Sequence, residues 1–372
     1  MSLTLLISFV TFSPKVNAEG INVSARSAVA MDADSKMILF EKNSEMIVSI
    51  ASTTKIMTVM VALKYGNLDK KVEISARAAG IRGSTVGYKK GEILTLKELL
   101  FGLMLRSGND ASIAISEGVG GSVEEFVKLM NEYAVELGLS NSHFMVPHGL
   151  DDIAHYSSAY DLALITAKAK ENKFFNEIVN SKDVDKSQYG FTRGYHNINK
   201  ILWLIPEADG VKTGFTGDAG KCLVTTVKVE GKSIVIVVLN CTERWKETQK
   251  IYKYICDNYK YKKFYTKGDI ISSIDVTGGK NKVKLVCNKD IFLPLKNGGN
   301  YDLKFTKPDK VYSPVKKGDR LGSLVFYENG KPVYNEGLQA VEDSRKANKI
   351  KKFFFKKSSW WKSFFLYLGT KN

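Results

Sequence analysis

The sequence predicts an α/β (α+β) chain: an antiparallel sheet closed around a helical subdomain, then a small all-β sandwich domain, then a C-terminal amphipathic helix. Three observations carry this. Strand-like runs at Ala28–Asp34 and Lys36–Glu41 are matched only after a long helical middle, by Val211–Thr216, Cys222–Val229 and Ser233–Leu239, so the sheet needs strands distant in sequence. From Lys263 to Leu338, short alternating runs are separated by Gly, Pro and Asn turns. Near the end, Phe353, Trp360, Trp361, Phe364, Phe365 and Leu368 share one helical face among lysines, the composition of a helix lying in a membrane interface.

In chain order, the first two strands meet at a turn on Asp34-Ser35. A helix follows, with Ile56, Met57, Val59, Met60, Val61 and Leu63 as its buried side and Gly66 as its end; Ser52 stands at its N-cap or first turn. Val72–Ile74 and the Gly83, Gly87 and Gly91 stretch read as short strands and turns. Thr95 caps a helix from Leu96 to about Leu105, and Glu98 is placed to complete a capping box. That helix stops at Arg106-Ser107-Gly108-Asn109-Asp110, and the next restarts at Ala111. Val123–Leu137 is a third helix, closed by Gly138. His143–Tyr156 is a loop, and Ser158 caps a helix to about Lys170. A turn at Glu230-Gly231-Lys232 joins two strands, the second continuously apolar. Glu243 to about Tyr259 is a helix with Trp245, Ile251, Tyr252 and Ile255 along its apolar stripe. Within the all-β region, Lys282–Val286, Ile291–Leu295 and Leu321–Tyr327 are the clearest strands.

At 372 residues the chain is long enough for two domains. We divide it into a signal peptide at 1–18, a large domain at 19–262, the all-β domain at 263–340, and a linker with the amphipathic helix at 341–372. The apolar run Leu3–Phe12 is too short to span a bilayer and is followed by Val16-Asn17-Ala18, a small-residue cleavage pattern, so export is expected. No Lys or Arg precedes that run, which departs from the usual signal. The net charge of +16 suggests a polyanionic neighbour: nucleic acid, anionic lipid or an acidic wall polymer. Zinc-finger and RNP-type sequences are missing, so nucleic acid is not the expected partner. The anionic membrane surface is, through the C-terminal helix, whose charge keeps it from crossing.

The chemistry concentrates in Ala51-Ser52-Thr53-Thr54-Lys55. On a helix, residues three apart share a face, so the Ser52 hydroxyl and the Lys55 amine can meet. A hydroxyl becomes a nucleophile when an adjacent base takes its proton, and burial, which disfavours the charged ammonium, makes lysine such a base. The same residues also fit a cap beside a solvated lysine. Two further motifs follow in order: Ser107-Gly108-Asn109 between helices, and Lys212-Thr213-Gly214 on a strand.

An ordered set of this kind marks penicillin-binding proteins and class A β-lactamases. From about Val23 to Tyr259 the chain resembles the low-molecular-mass penicillin-binding proteins that are serine-type D-alanyl-D-alanine carboxypeptidases, and more weakly so through the β-domain and tail. The match extends to Asp110-Ala111, to His148-Gly149-Leu150-Asp151 and to Phe215-Thr216. Ile50 departs from it, standing where family members often carry proline. The resemblance implies a penicillin-binding, β-lactamase-like transpeptidase domain that removes the terminal D-alanine from peptidoglycan stem pentapeptides and is acylated by β-lactam antibiotics, at the outer face of the cytoplasmic membrane. It implies Ser52 as nucleophile and Lys55 as its base. The backbone N–H groups of Ser52 and Phe215 become oxyanion donors. Ser107 becomes a proton relay biased by Lys212, and Asn109 holds both Lys55 and the substrate. Thr213, Lys212 and Arg244 are the candidates for the substrate carboxylate, with Gly214, Phe215 and Thr216 lining the strand. Neither a cofactor nor a metal is implied.

Two alternatives stay beside this reading: a class A-like β-lactamase, disfavoured by Gly108 where such enzymes usually carry aspartate, and a non-catalytic wall-binding protein. A transpeptidase would use the same residues with another acyl acceptor. A Ser-His-Asp arrangement through His148 or His155 with Asp151 is disfavoured because Ser52 already has a lysine beside it, and His143 and His196 are read as core or hydrogen-bonding residues. Cys222, Cys241, Cys256 and Cys287 show no metal spacing; Cys222 is expected as a buried thiol rather than bridged to Cys241.

Overall fold

A computed structural model describes residues 21–279 and 281–346. The signal segment, the end of the linker and the amphipathic tail lie outside the described residues. Those described form two compact units, one from 21–264, Ile291–Leu303 and Val325–Asn335, the other from Tyr265–Asp290, Lys304–Leu324 and 336–346.

The main sheet has five antiparallel strands: β1 (Ser27–Asp32), β2 (Ile38–Lys42), β3 (Ala208–Thr216), β4 (Gly220–Val229) and β5 (Lys232–Leu239), ordered β2-β1-β5-β4-β3. Strands distant in sequence do close it, since β1 pairs directly with β5, Ala30 opposite Ile236. The hairpin β4–β5 turns on Glu230 and Gly231, both at positive φ, the conformation a two-residue hairpin needs. The unbroken apolar run of β5 has a tertiary cause. All of Ile234–Leu239 is buried, with helix α5 (Ala159–Ala169) packed on β1 and β5 and helix α7 (Arg244–Asn258) packed on β2, β4 and β5.

Between β2 and β3 lie helices α1 (Lys55–Tyr65), α2 (Leu96–Leu105), α3 (Asn109–Gly120), α4 (Val123–Glu136), the aforementioned α5, and α6 (Lys173–Asn180). Contacts with α2, α3, α4 and α5 surround α1, so Lys55 through Ala62 are buried on every side rather than along one stripe. The expected caps on Thr95 and Ser158 form, and Ser122 caps α4 as well, each side chain accepting from an N–H three residues on.

Four local expectations need correction. Ser52 is neither the N-cap nor in the first turn of α1; it lies in a separate 3-10 turn, Ala51–Thr54, with α1 starting at Lys55. The capping box at Thr95 is only half made. Buried Glu98 turns away and its Oε1 accepts from Thr192 N, Thr192 Oγ1 and Tyr195 OH, a tertiary network that outbids the local bond. Helix α3 begins at Asn109, not Ala111. On α7 the buried ring is Tyr254, while Trp245 and Tyr252 are only half-buried.

The C-terminal domain is all-β. Its five-stranded sheet runs Ile270–Ile274, Val283–Val286, Lys331–Ala340, Arg320–Glu328, Tyr301–Thr306, beside a short parallel pair, Val276–Thr277 with Val311–Tyr312. The three clearest sequence-predicted strands are present as Val283–Val286, Ile291–Lys296 and Arg320–Glu328. All four cysteines are free thiols.

Candidate active site

Three segments converge on Ser52. The first is its own 3-10 turn, in which Ala51, Thr53 and Thr54 are buried and Ser52 is half-exposed. Ala51 has φ +49, a left-handed conformation that an alanine adopts only when its surroundings hold it there. The Thr53 hydroxyl donates to Ile50 O (2.6 Å) and the Thr54 hydroxyl to Ala51 O (2.7 Å), tying the turn to the residues before it.

Lys55, the first residue of α1, is fully buried. Its Nζ lies 2.9 Å from Ser52 Oγ, 2.8 Å from Asn109 Oδ1 and 2.7 Å from the His148 carbonyl. Asn109 Oδ1 and His148 O can only accept. In the neutral amine they take both hydrogens, which leaves the nitrogen lone pair facing the Ser52 hydroxyl. Burial, and then the Lys212 charge, hold the Lys55 pKa well below the ordinary lysine value, and Asp110 opposes them.

The second segment is the junction of α2 and α3. Ser107 is buried at φ +59. Gly108 has no room for a side chain: a Cβ would lie 2.6 Å from Asp110 Oδ1 and 2.7 Å from Val86 Cγ2. Asn109 spans the junction, Oδ1 on Lys55 and Nδ2 on Arg82 O at 2.8 Å. Its neighbour Asp110 accepts from the amides of Val86, Gly87 and Tyr88, fastening that loop.

The third is β3, the end strand of the sheet. A Cβ on Gly214 would come within 3.1 Å of the Ser52 amide nitrogen, so the strand passes directly beside the nucleophile turn. Buried Lys212 donates to Thr213 O at 3.0 Å. Burial, and then the Arg244 charge, push its pKa down to about 7. Arg244 starts α7 and donates from Nη1 to Gly214 O (2.6 Å) and Cys222 O (3.1 Å). Its Nε–H is buried with no acceptor among the described residues. Thr213 is buried, Phe215 exposed, and Thr216 Oγ1 accepts from Ala219 N, closing the turn after the strand.

The predicted set thus comes together unevenly. Lys55 bonds both Ser52 and Asn109, and Arg244 grips the strand that carries Lys212, Thr213, Gly214 and Phe215. The biasing bond from Lys212 to Ser107 is replaced by one to its own strand. The histidines take structural partners: His148 Nδ1 accepts from Leu150 N, His155 pairs with Thr54 and Met145, and Asp151 accepts from Asp218 N. His143 bonds Ala154 O, and His196 bonds Asp183 at the surface. Sequence reasoning missed the His148 carbonyl as a partner of Lys55, because a backbone oxygen leaves no mark on residue type. The adjacent Gly149, at φ +82 with no room for a Cβ, is the one available sign of a tight approach.

Comparison with known proteins places the chain in a family. Residues 13–243 match the peptidase S11 family, D-alanyl-D-alanine carboxypeptidase, and residues 259–346 match the C-terminal domain of penicillin-binding protein 5. D-alanyl-D-alanine carboxypeptidase DacF of Bacillus subtilis is 34% identical over 369 residues, covering 93% of this chain and 95% of that one. Penicillin-binding protein 5 of Haemophilus influenzae superposes with a TM-score of 0.77 at 31% identity, over 89% of this chain and all of that one. A Streptomyces K15 DD-transpeptidase variant is similar over 63% of this chain and 98% of its own, with a TM-score of 0.59 at 33% identity. The chain belongs to the peptidase S11 family of D-alanyl-D-alanine carboxypeptidases, serine hydrolases of the penicillin-binding-protein fold.

Proposed function

We propose that this protein removes the terminal D-alanine from peptidoglycan stem pentapeptides through an acyl-enzyme on Ser52. The observation that carries the reading is the Lys55 amine, buried and held by two obligate acceptors so that its free electron pair meets the Ser52 hydroxyl. Lys55 takes the hydroxyl proton as Ser52 Oγ attacks the carbonyl carbon of the D-Ala–D-Ala bond. The resulting oxyanion is met by the amides of Ser52 and Phe215. Collapse breaks the C–N bond, and the leaving amine takes the proton that Lys55 gained, relayed through Ser107 with Lys212 beside the path, which returns Lys55 to the neutral amine. Water then attacks the acyl carbon, Lys55 again serving as base, and frees Ser52. Asn109 orients Lys55 and the peptide, and Gly214 and Thr216 shape the strand along which the substrate lies. Arg244, Lys212 and Thr213 receive the terminal carboxylate, and the buried Nε–H of Arg244 supports a role beyond the two carbonyls it already holds. A β-lactam, with its strained amide and carboxylate, enters by the same route and acylates Ser52.

Export by residues 1–18, a large domain at 19–262, an all-β domain at 263–340 and a membrane-surface tail within 341–372 complete the proposal. Its support is the cleavage pattern at Ala18, the family match beginning at 259, and the lysine-flanked aromatics. Among the described residues no helix is long and apolar enough to cross a membrane.

Intact-mass and peptide mapping after exposure to labelled penicillin test the nucleophile. One adduct on the Ser52 peptide is expected, together with D-alanine release from a pentapeptide substrate, both lost in Ser52→Ala. A folded protein carrying its adduct elsewhere, or none, would overturn the assignment. Deleting 353–372 should abolish sedimentation with anionic vesicles and leave catalysis intact; unchanged sedimentation would remove the tail from the membrane.

A further inference from the structure

His155 is buried, and its ring edge-packs against Phe144 with centroids 5.8 Å apart. Its two nitrogens are both engaged, and the partners fix which one carries the proton. The Met145 amide reaches Nδ1 at 3.1 Å and can only donate, so Nδ1 is bare. On the other side, Nε2 lies 2.7 Å from Thr54 Oγ1. That hydroxyl has a single proton and gives it to the Ala51 carbonyl at 2.7 Å, so it must accept from Nε2–H. The two deductions start at opposite ends and agree on one neutral tautomer. A proton on both nitrogens would set Nδ1–H against the Met145 N–H. Burial favours the same state, pushing the His155 pKa down to about 4.

The relay ends on a peptide plane that matters. The Ala51 carbonyl and the Ser52 N–H belong to one planar unit, so holding the oxygen holds the amide that points the other way. Ala51 sits at φ +49, a conformation that relaxes unless restrained. Gly149 packs against the same unit, since any Cβ there would fall 2.0 Å from Ala51 O and 2.7 Å from Thr54 Oγ1.

We infer that His155 is a positioning residue for acylation: through Thr54 it holds the Ala51–Ser52 peptide in the orientation that aims the Ser52 amide at the developing oxyanion. This rests on the proposed Ser52 nucleophile. The effect belongs in the acylation rate constant rather than in the preceding affinity, because the amide interaction strengthens only as charge develops.

Two pairs of variants separate this role from general packing. Thr54→Val deletes the relay hydroxyl and Thr54→Ser restores it. His155→Asn keeps an acceptor near the Nδ1 position but loses the donor; His155→Gln keeps a donor near the Nε2 position. Labelled-penicillin acylation is measured over a range of concentrations, alongside thermal melting. Thr54→Val and His155→Asn are each expected to lower the limiting rate about tenfold, what losing one buried hydrogen bond costs, with the half-saturating concentration unchanged. Thr54→Ser and His155→Gln should recover most of the rate. Should His155→Asn fail to fold, the Thr54 pair decides alone. Limiting rates that follow melting temperature, or that are equal within each pair, overturn the inference. Wild-type protein that forms no Ser52 adduct overturns the underlying nucleophile instead.

Discussion

Replacing Lys55 with methionine separates the two claims made for that residue, that it is the base and that it is neutral at rest. Methionine fills nearly the same volume without an amine. The catalytic part is the loss of a general base, about 10²–10⁴ in acylation rate, or roughly 3–5 kcal/mol of barrier. The structural part follows from the contacts: Asn109 Oδ1 and the His148 carbonyl lose their shared donor, at about 1–3 kcal/mol for each buried acceptor. The pH dependence is the decisive part. A lysine whose folded pKa is depressed binds fewer protons folded than unfolded at every pH between the two values, so wild-type stability rises with pH there, by about 1.4 kcal/mol per unit. Lys55→Met lacks that slope, and Lys212 contributes the same slope to both proteins. Urea unfolding of both proteins at intervals from about pH 8 to 10 should show the wild-type advantage growing with pH, while penicillin acylation is lost throughout. A stability difference that stays constant across that range would mean Lys55 is charged in the fold, and the base would have to be reassigned.

Gly149→Ala should cost about 2–4 kcal/mol in urea unfolding and slow acylation, since it adds left-handed strain to a collision with Ala51 O; Gly217→Ala, which meets nothing within 4 Å, should change stability by less than about 0.5 kcal/mol. Burial lowers the His148 pKa to about 3 and that of His155 to about 4, so the unfolded chain binds more protons below the ordinary value of about 6.5 and stability falls as pH drops from there toward 4. The loss is roughly 3 kcal/mol per histidine at pH 4, and wild-type and His155→Gln denaturation curves should converge on acidification; a constant gap between pH 7 and 4 would refute it.

Much of the helical frame was legible because its signals are local. Thr95 and Ser158 cap the helices that follow them, and Gly66 ends α1, since a side-chain oxygen at a helix start or a glycine after its end acts within one turn. Residues 171–207 were not assigned from sequence; the structure forms three short helices there, Lys173–Asn180, Lys186–Tyr189 and Ile201–Leu204, pieces too brief for periodicity to stand out. Glu98, and Trp245 and Tyr252 on α7, were misjudged for the opposite reason. Each has a plausible local role that a distant partner or a neighbouring element overrides.

The sequence by itself determined the order of the three motifs, the cleavage pattern, and the α+β layout with an all-β domain behind it, because these are properties of residue type and spacing. It also brought Ser52 and Lys55 within reach, since three residues of separation suffice in a 3-10 turn as in an α-helix. Only the tertiary structure decided which form of Lys55 is favoured. Burying α1 on all sides strips the amine of water, and the Asn109 side chain and the His148 carbonyl, 54 and 93 residues away, take up its hydrogens. Desolvation and the geometry of acceptors are summed over the whole fold, and neither is carried by the residues that feel them.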